Sequence, residues 1–202
     1  LPSLSSGQTD APVSITELDA WPGDNAFKYN SFPKFRGKGK ASLIRMAVMN
    51  DQGEPTLVFR QGERLHVYCE FQLKEDVAAP VVNVEIRDRL NLLVHSKNSA
   101  QNRAESPSAV SRSGVIRYHQ VVTLNLAPDN YVFGLDCFSM PQKDGTPSKK
   151  PVFPVAAGNV NRLWRLEQAF AIAILPGYGA QSESLHGGLC DLPGESQMQL
   201  FA

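Results

Sequence analysis

Long apolar runs are missing from this sequence, and so is an excess of charge of either sign. No window approaches the ~18 consecutive apolar residues that a membrane-spanning helix requires, and the longest run, residues 169–176, is typical of a buried strand. Lys and Arg number 20 and Asp and Glu number 20, so the formal net charge is zero. A dedicated nucleic-acid-binding protein usually has a basic excess, so we expect no nucleic-acid partner.

Cysteine is scarce, with three residues, Cys69, Cys137 and Cys190. An odd number of widely spaced cysteines favours a reducing compartment over a disulfide framework. Cys69 and Cys137 fall on inward positions of predicted strands, where we expect buried thiols that pack as small apolar groups. Their spacing also suits a bridge between the sheets of an immunoglobulin-type domain, so that alternative stays open.

A secretory leader is not recognisable either. The sequence starts at Leu1 without a charged segment followed by an apolar one. We therefore expect that it is not an intact secretory precursor, while a mature secreted protein or an excised fragment stays open.

Motifs for common enzyme chemistries are absent or weak. No G-x-x-x-x-G-K-[ST] loop is present to bind phosphate, and residues 37–40 have the wrong glycine spacing for one. The four histidines show no ligand spacing with the cysteines, and a thiolate is disfavoured on the apolar faces that carry Cys69 and Cys137. Glu85 and Asp88 could form a glycosidase pair, but we favour a turn role for Asp88 and a solvent-facing role for Glu85. We expect no enzyme activity, no metal and no cofactor.

Short stretches in which apolar and polar residues alternate fill the chain from residue 40 to residue 175. In the clearest, residues 64–73, every second side chain is apolar, and in residues 40–50 the apolar side chains of Ile44, Met46 and Val48 share one face. Further strands are predicted at residues 56–59, 82–86, 92–96, 115–126, 131–137 and 164–175, the last with helix as a lesser alternative. Turn residues separate these stretches, and no amphipathic helix lies between them. The pattern predicts an all-β, immunoglobulin-like antiparallel β-sandwich.

The predicted organisation is simple. Residues 1–39 contain four prolines and no sustained period, so we assign them to a linker, and residues 40–202 to the sandwich with a C-terminal tail. Residues 97–113 are predicted to be a polar loop. Residues 140–154 contain four prolines and are predicted to be irregular.

Several short motifs occur in an order that resembles a known family. They are residues 39–44, Asp51-Gln52-Gly53, Gly62-Glu63-Arg64-Leu65, residues 84–89, residues 96–99, residues 126–131, residues 186–189 and Asp191-Leu192-Pro193. This succession is similar to the C-terminal domain of Wzt, the ATP-binding subunit of O-antigen polysaccharide ABC exporters. Asn91 and Asn130 stand where that family usually has glycine, and residues 194–202 do not follow the family's ending.

The resemblance implies a carbohydrate-binding domain that recognises O-antigen polysaccharide, often at its modified non-reducing end, before export. It also implies a homodimer, in which members of the family can exchange a C-terminal strand. An ATPase domain in the same full-length chain and a membrane-spanning transporter subunit would be the other partners, at the cytoplasmic face of the inner membrane. The basic, aromatic residues 27–40 would then dock on the ATPase domain or lie near anionic lipid.

A sugar site needs flat aromatic faces and polar groups that hydrogen-bond hydroxyls in pairs. The outward row on residues 64–73 is the first candidate, and outward residues of three further strands are added to it. The predicted carbohydrate-binding residues are His66, Tyr68, Glu70, Asn83, Glu85, Arg87, Arg117, His119, Asp136 and Trp164. For the row, an ordinary polar outer face is the competing interpretation. For Trp164 we favour a core role, and Trp21 in the linker could pack against the sandwich.

Two other functions stay open at this point. One is a dimerisation domain without a ligand, and the other is a secreted carbohydrate-active enzyme or adhesin.

Overall fold

The computed structural model describes residues 21–27, 38–102, 104, 107, 109–139, 142–143, 146–147, 161–177 and 190. The strands within these residues are β1 (Ala41–Met49), β2 (Val58–Arg60), β3 (Arg64–Leu73), β4 (Val77–Ala78), β5 (Pro80–Arg87), β6 (Leu93–Asn98), β7 (Ala109–Val110), β8 (Val115–Thr123), β9 (Asp129–Ser139), β10 (Gln142–Lys143), β11 (Thr146–Pro147) and β12 (Asn161–Leu175). A 3-10 turn, Asp24–Ala26, lies in the described stretch that precedes β1. The prediction of an all-β chain is confirmed, and residues 164–175 are strand rather than helix.

Two sheets form the sandwich. The three-stranded sheet has the order β1-β3-β8, and the five-stranded sheet has the order β2-β12-β9-β5-β6. The strand pairs are antiparallel except β12 with β2, which run parallel, so the purely antiparallel expectation is corrected at this edge. Two further short pairs are β4 with β7 and β10 with β11. β4 falls between two predicted strands, β7 lies in the predicted polar loop, and β10 and β11 lie in the stretch predicted to be irregular.

The core lies between the two sheets. All five apolar residues at alternate positions of β3 are buried, as are those facing them on β5 and β9. Phe71 of the three-stranded sheet meets Trp164 of the five-stranded sheet edge to face, with the ring centroids 5.4 Å apart. The inward side of β3, which period-two alternation predicts, is therefore confirmed, because one face of each sheet is buried against the facing sheet.

One predicted inward residue, Ile44, does not point into the core. The pairing of β1 with β3 shifts by one residue between Leu43 and Arg45, which is a β-bulge, and leaves Ile44 exposed. Because the bulge adds a residue, Leu43 lies on the buried side before it and Met46 lies on the buried side after it. Arg45 lies on the outer face, where the side chain takes part in a cluster described below.

The connection between β5 and β6 is held by one carboxylate. Asp88 Oδ1 accepts the backbone N–H groups of Leu90 at 2.9 Å and of Leu92 at 2.8 Å. Asn91 has a φ of 65°, a left-handed conformation that Asn tolerates better than most residues. The predicted turn role of Asp88 is confirmed. Within the described residues, no helix has the length and apolar character to cross a bilayer.

Candidate functional site

The sandwich separates the predicted carbohydrate-binding residues onto opposite outer faces. Five lie on the outer face of the three-stranded sheet, namely His66, Tyr68, Glu70, Arg117 and His119. Four lie on the outer face of the five-stranded sheet, namely Asn83, Glu85, Arg87 and Asp136. The tenth, Trp164, lies in the core. No single surface contains the whole set, because the sandwich core separates its two halves.

Aromatic rings form a stack on the three-stranded face. Tyr68 of β3 is directly opposite His119 of β8, and their rings are parallel with centroids 4.0 Å apart. His66 continues the stack, with its ring centroid 5.3 Å from that of His119. One face of each of these two rings is therefore covered by the other ring and is not open to a sugar.

A hydrogen-bonded chain runs along the same rings. His66 Nε2 lies 2.7 Å from Asp51 Oδ1, and His66 Nδ1 lies 3.2 Å from His119 Nε2. If His66 donates to the carboxylate, its Nδ1 accepts from His119. Burial, together with the neighbouring His66, lowers the pKa of His119 to about 4, so this ring is neutral near pH 7.

Residues 21–27, which we name the strap, cover part of this face. Phe27 and Ala26 are buried, and they pack on Ala47 and Met49 of β1. Trp21 stacks on Phe27 and meets the ring of Tyr68 edge-on at 5.5 Å. The strap belongs to the stretch that the sequence assigned to a linker, but its side chains pack against the sandwich.

A buried carboxylate beneath the strap holds two arginines. Glu70 of β3 accepts a hydrogen bond from Arg45 Nε of β1 and one of 2.9 Å from Arg117 Nε of β8. Burial alone raises the pKa of Glu70, but these bonds more than offset it and hold the pKa below its ordinary value. The arginines in turn lie against strap rings, Arg45 over Phe27 at 4.3 Å and Arg117 over Trp21 at 5.1 Å.

The five-stranded face carries a network of planar polar groups. Asp136 of β9, which is 1% exposed, accepts from Arg162 Nε at 2.9 Å and from Arg165 Nη1 at 3.4 Å. Glu85 of β5 accepts from Arg165 Nη2 at 3.1 Å and from Arg87 Nη2 at 3.0 Å. The carboxylates are buried and the arginines are partly exposed, so the guanidinium groups are what a ligand would meet.

Amide and hydroxyl groups extend this network toward β6. Asn83 Nδ2 lies 3.2 Å from Ser96 Oγ and 3.5 Å from Glu85 Oε1.

Burial raises the pKa of Asp136, and the two arginines offset only part of that effect. Three arginines, counting Arg87, Arg162 and Arg165, face three carboxylates, which are Glu85, Asp136 and Glu167. The cluster is therefore close to neutral.

Sequence analysis missed Arg162 and Arg165. In a regular strand, residues three apart point to opposite faces. A register shift between Arg162 and Trp164 brings both arginines to the outer face of β12, where both reach Asp136. A second register shift lies between Leu166 and Phe170. Here β12 lies so close to Gly134 of β9 that a Cβ atom at this position would be 3.0 Å from the carbonyl oxygen of Glu167. Alternation alone gives no signal for such shifts.

Trp164 is corrected as a site residue. Its side chain is 2% exposed and packs against Phe71 in the core, so it offers no face for stacking on a sugar. The core role that the sequence favoured agrees with this position.

The two inward cysteines are buried and unbridged in the structure. Burial raises the pKa of Cys137 to about 12 and shifts that of Cys69 in the same direction, which makes both thiols poor nucleophiles. The predicted closing motifs of residues 186–189 and 191–193 lie outside the described residues, as does most of the basic segment 27–40.

Comparison with known families then gives a match to the model of the Wzt C-terminal domain over residues 34–143. The chain belongs to this family. A crystal structure of the C-terminal domain of wzt superposes with a TM-score of 0.63 at 14% identity, covering 93% of this chain and 96% of that one. Spo0M, a sporulation control protein from Bacillus subtilis, aligns with a TM-score of 0.31 at 9% identity, over 50% of this chain and 43% of its own. Comparison with curated proteins gives no match.

Membership of the Wzt C-terminal domain family confirms the resemblance noted in the sequence. The family is known as a non-catalytic, carbohydrate-binding C-terminal domain of O-antigen ABC exporters, which act at the inner membrane. The structural match to the wzt domain, over 93% of this chain, confirms the all-β sandwich.

Proposed function

We propose that this chain is a non-catalytic module that recognises O-antigen polysaccharide, including its modified non-reducing end, for export by an ABC transporter. We place the binding site on the outer face of the five-stranded sheet. The observation that carries this placement is the arginine–carboxylate network joining β5, β9 and β12.

The network has the properties that hydroxyl recognition needs. Each arginine is tied to a buried carboxylate, so its planar donors are held in place before a ligand arrives, which lowers the entropic cost of binding. Arg162 uses Nε to bond Asp136, and its side chain is partly exposed. Because positive and negative groups balance, the face suits paired hydrogen bonds to neutral hydroxyls as well as to a charged terminal group.

The opposite face is less suited to a ligand. The strap covers Ala47 and Met49, and the rings of Tyr68 and His119 stack on each other. His66, Tyr68, Glu70, Arg117 and His119 are therefore assigned to the contact with the strap and to the hydrogen-bonded chain ending at Asp51, and not to the sugar.

The remaining partners follow from the family and belong to the same proposal. They are an ATPase domain in the full-length chain, a membrane-spanning transporter subunit, and a second copy of the chain, with exchange of a C-terminal strand. The domain would act in the cytoplasm, next to the inner membrane.

Titration calorimetry of the full chain with purified O-polysaccharide tests the proposal. We expect saturable binding and a roughly tenfold loss of affinity for Arg162→Lys, because lysine keeps the charge but loses the planar pair of donors. Arg64→Lys is the matched control, since Arg64 pairs with Asp51 on the other face. Absence of binding at millimolar polysaccharide would contradict the function, and an equal loss in both variants would contradict the placement.

A second candidate, an interaction domain without a ligand, is favoured by one feature. Leu90, Leu92 and Leu93 are all more than half exposed at the β5–β6 connection, where Asp88 accepts two backbone hydrogen bonds. Exposed apolar clusters often mark protein contacts. Light scattering on a variant with the three leucines replaced by serine tests whether they form a contact between chains. Calorimetric titration of the same variant with glycan distinguishes the two candidates, because only the sugar-binding role predicts glycan affinity, and that affinity should survive the replacement.

The secreted alternative predicts a bridge between Cys69 and Cys137. Titration of the unfolded, unreduced protein with a thiol reagent should find three free thiols if the chain is cytoplasmic and one if it is secreted.

A further inference from the structure

We propose that the outer face of the three-stranded sheet is the docking surface for the chain's own strap, and that this contact fixes the path of the strap across the sheet. The strap then holds Trp21 at a fixed position on the domain instead of tethering it loosely. This inference concerns a different face from the proposed ligand site and does not depend on it.

Two arginines from opposite sides of the sheet hold the strap. Arg45 comes from β1 and Arg117 from β8, the two strands that flank β3. Each guanidinium lies over one strap ring, at 4.3 Å from the centroid of Phe27 and 5.1 Å from that of Trp21. These are cation–π distances, and they contact the strap at both of its ends.

Glu70 is the positioning residue for both arginines. It lies on the central strand β3, its carboxylate is buried, and it receives the Nε–H of each arginine. Anchoring through Nε fixes the plane of the guanidinium group, so the plane can lie along an aromatic ring. Asp24 of the strap completes the contact by accepting from Arg45 Nη1.

The surface under the strap is apolar, unlike an ordinary outer face. Ala47 and Met49 point outward from β1, and they are buried because Ala26 and Phe27 lie on them. The 3-10 turn shapes the strap for this contact, with Ala26 N–H donating to Gly23 O at 3.0 Å and Phe27 N–H donating to Asp24 O at 3.2 Å. The apolar side chains of the strap therefore lie directly on the apolar outward residues of β1.

Contact at two points determines direction as well as position. A segment held only at Phe27 could swivel about that residue. Because Trp21 is also held, by Arg117 and by the edge of Tyr68, residues 21–27 have a single path across the sheet. The strap is therefore expected to keep this path in solution, from Phe27 to Trp21.

Hydrogen–deuterium exchange on the full chain tests the docking. In the wild type we expect the amides of Ala26 and Phe27 to be protected from exchange. In the double variant Arg45→Gln/Arg117→Gln these two amides should exchange at least tenfold faster, while the exchange rates of the β3 and β8 amides should not change. Arg64→Gln, a change on the same face that touches no strap ring, should leave the strap protected. Unprotected strap amides in the wild type, or equal rates in wild type and double variant, would overturn the proposal.

Distance measurement between two spin labels tests the rigidity. With Cys190→Ser removing the exposed thiol, labels at the exposed strap residue Asn25→Cys and at Thr123→Cys should give one narrow distance distribution. The same labels in the Arg45→Gln/Arg117→Gln background should give a broad one. A broad distribution in both proteins would show that the strap does not follow a single path across the sheet and would overturn this part of the proposal.

Discussion

The two outer faces of the sandwich use arginine and carboxylate for opposite purposes. On the three-stranded face, Glu70 directs two arginines toward the rings of the strap, which cover it. On the five-stranded face, Asp136 and Glu85 direct three arginines toward a partly exposed surface. A buried carboxylate therefore orients guanidinium groups in both places, and what lies above them decides whether the face binds the chain itself or something else.

The largest effect should come from the core that separates the faces. Trp164→Ala should lower the free energy of unfolding by about 3–5 kcal/mol, since it removes a buried ring that packs on Phe71. Urea unfolding followed by circular dichroism measures the loss. Glycan affinity measured on the folded fraction should not change; lost affinity with unchanged stability would place Trp164 in a ligand site.

Next in size is the comparison of one arginine from each face. Arg165→Ala leaves two buried carboxylates, Glu85 and Asp136, without a common partner, and should cost about 3 kcal/mol of stability. Arg117→Ala, from the more exposed side, should cost about 1 kcal/mol or less. Thermal and urea unfolding of both variants provide the measurement, and equal losses would remove the contrast between the faces.

A smaller effect is expected at Tyr68. Tyr68→Ala loses the edge contact with Trp21 and the stack on His119, which should cost about 1–2 kcal/mol. Tyr68→Phe keeps both rings in place and should cost less. Calorimetric titration should show unchanged glycan affinity for both variants; loss of affinity in Tyr68→Ala alone would return the ligand to this face.

Lowering the pH should change the contributions of Glu70 and Asp136 to the free energy of unfolding with opposite sign, and this is the smallest effect expected. The pKa of Glu70 is held below its ordinary 4.5, so its ion pairs stabilise the fold above that pH and are lost as the pH falls through the lowered pKa. The pKa of Asp136 is raised by burial above its ordinary 3.8, so protonation of this group favours the folded state as the pH falls. Unfolding free energies of Glu70→Gln and Asp136→Asn, measured from pH 7 down into the acid range, should therefore differ from wild type with opposite slopes.

Alternation in the sequence predicted which side of a strand is buried, but not to which sheet the strand belongs. The outward rows of β3 and β5 look alike in the sequence, and they were combined into one site. The pairing places β3 with β1 and β8, and β5 with β6 and β9. Period two carries no information on the choice of partner strand, which depends on contacts far apart in the chain.

The irregularities of the two faces escaped prediction. A bulge in β1 takes Ile44 out of the core while Arg45 lies outward beside Glu70, and a register shift brings Arg162 and Arg165 to the same face. Trp21 was correctly considered as a residue that could pack on the sandwich. Its partner Arg117 was instead assigned to a sugar site, because a cation–π contact leaves no pattern in a sequence.

The parallel pairing of β2 with β12 has a consequence for the order of folding. Arg60 Nη1 donates to the carbonyl of Pro176, 116 positions away, and Ile174 is paired with Phe59. Contacts so distant in the chain require most of the polypeptide to be in place first, and such topologies fold slowly. During synthesis, β2 is made long before β12, so its edge cannot pair with β12 until residues 173–175 have been added. An unpaired strand edge is prone to aggregation, so we expect chaperone binding to matter most before β12 is complete.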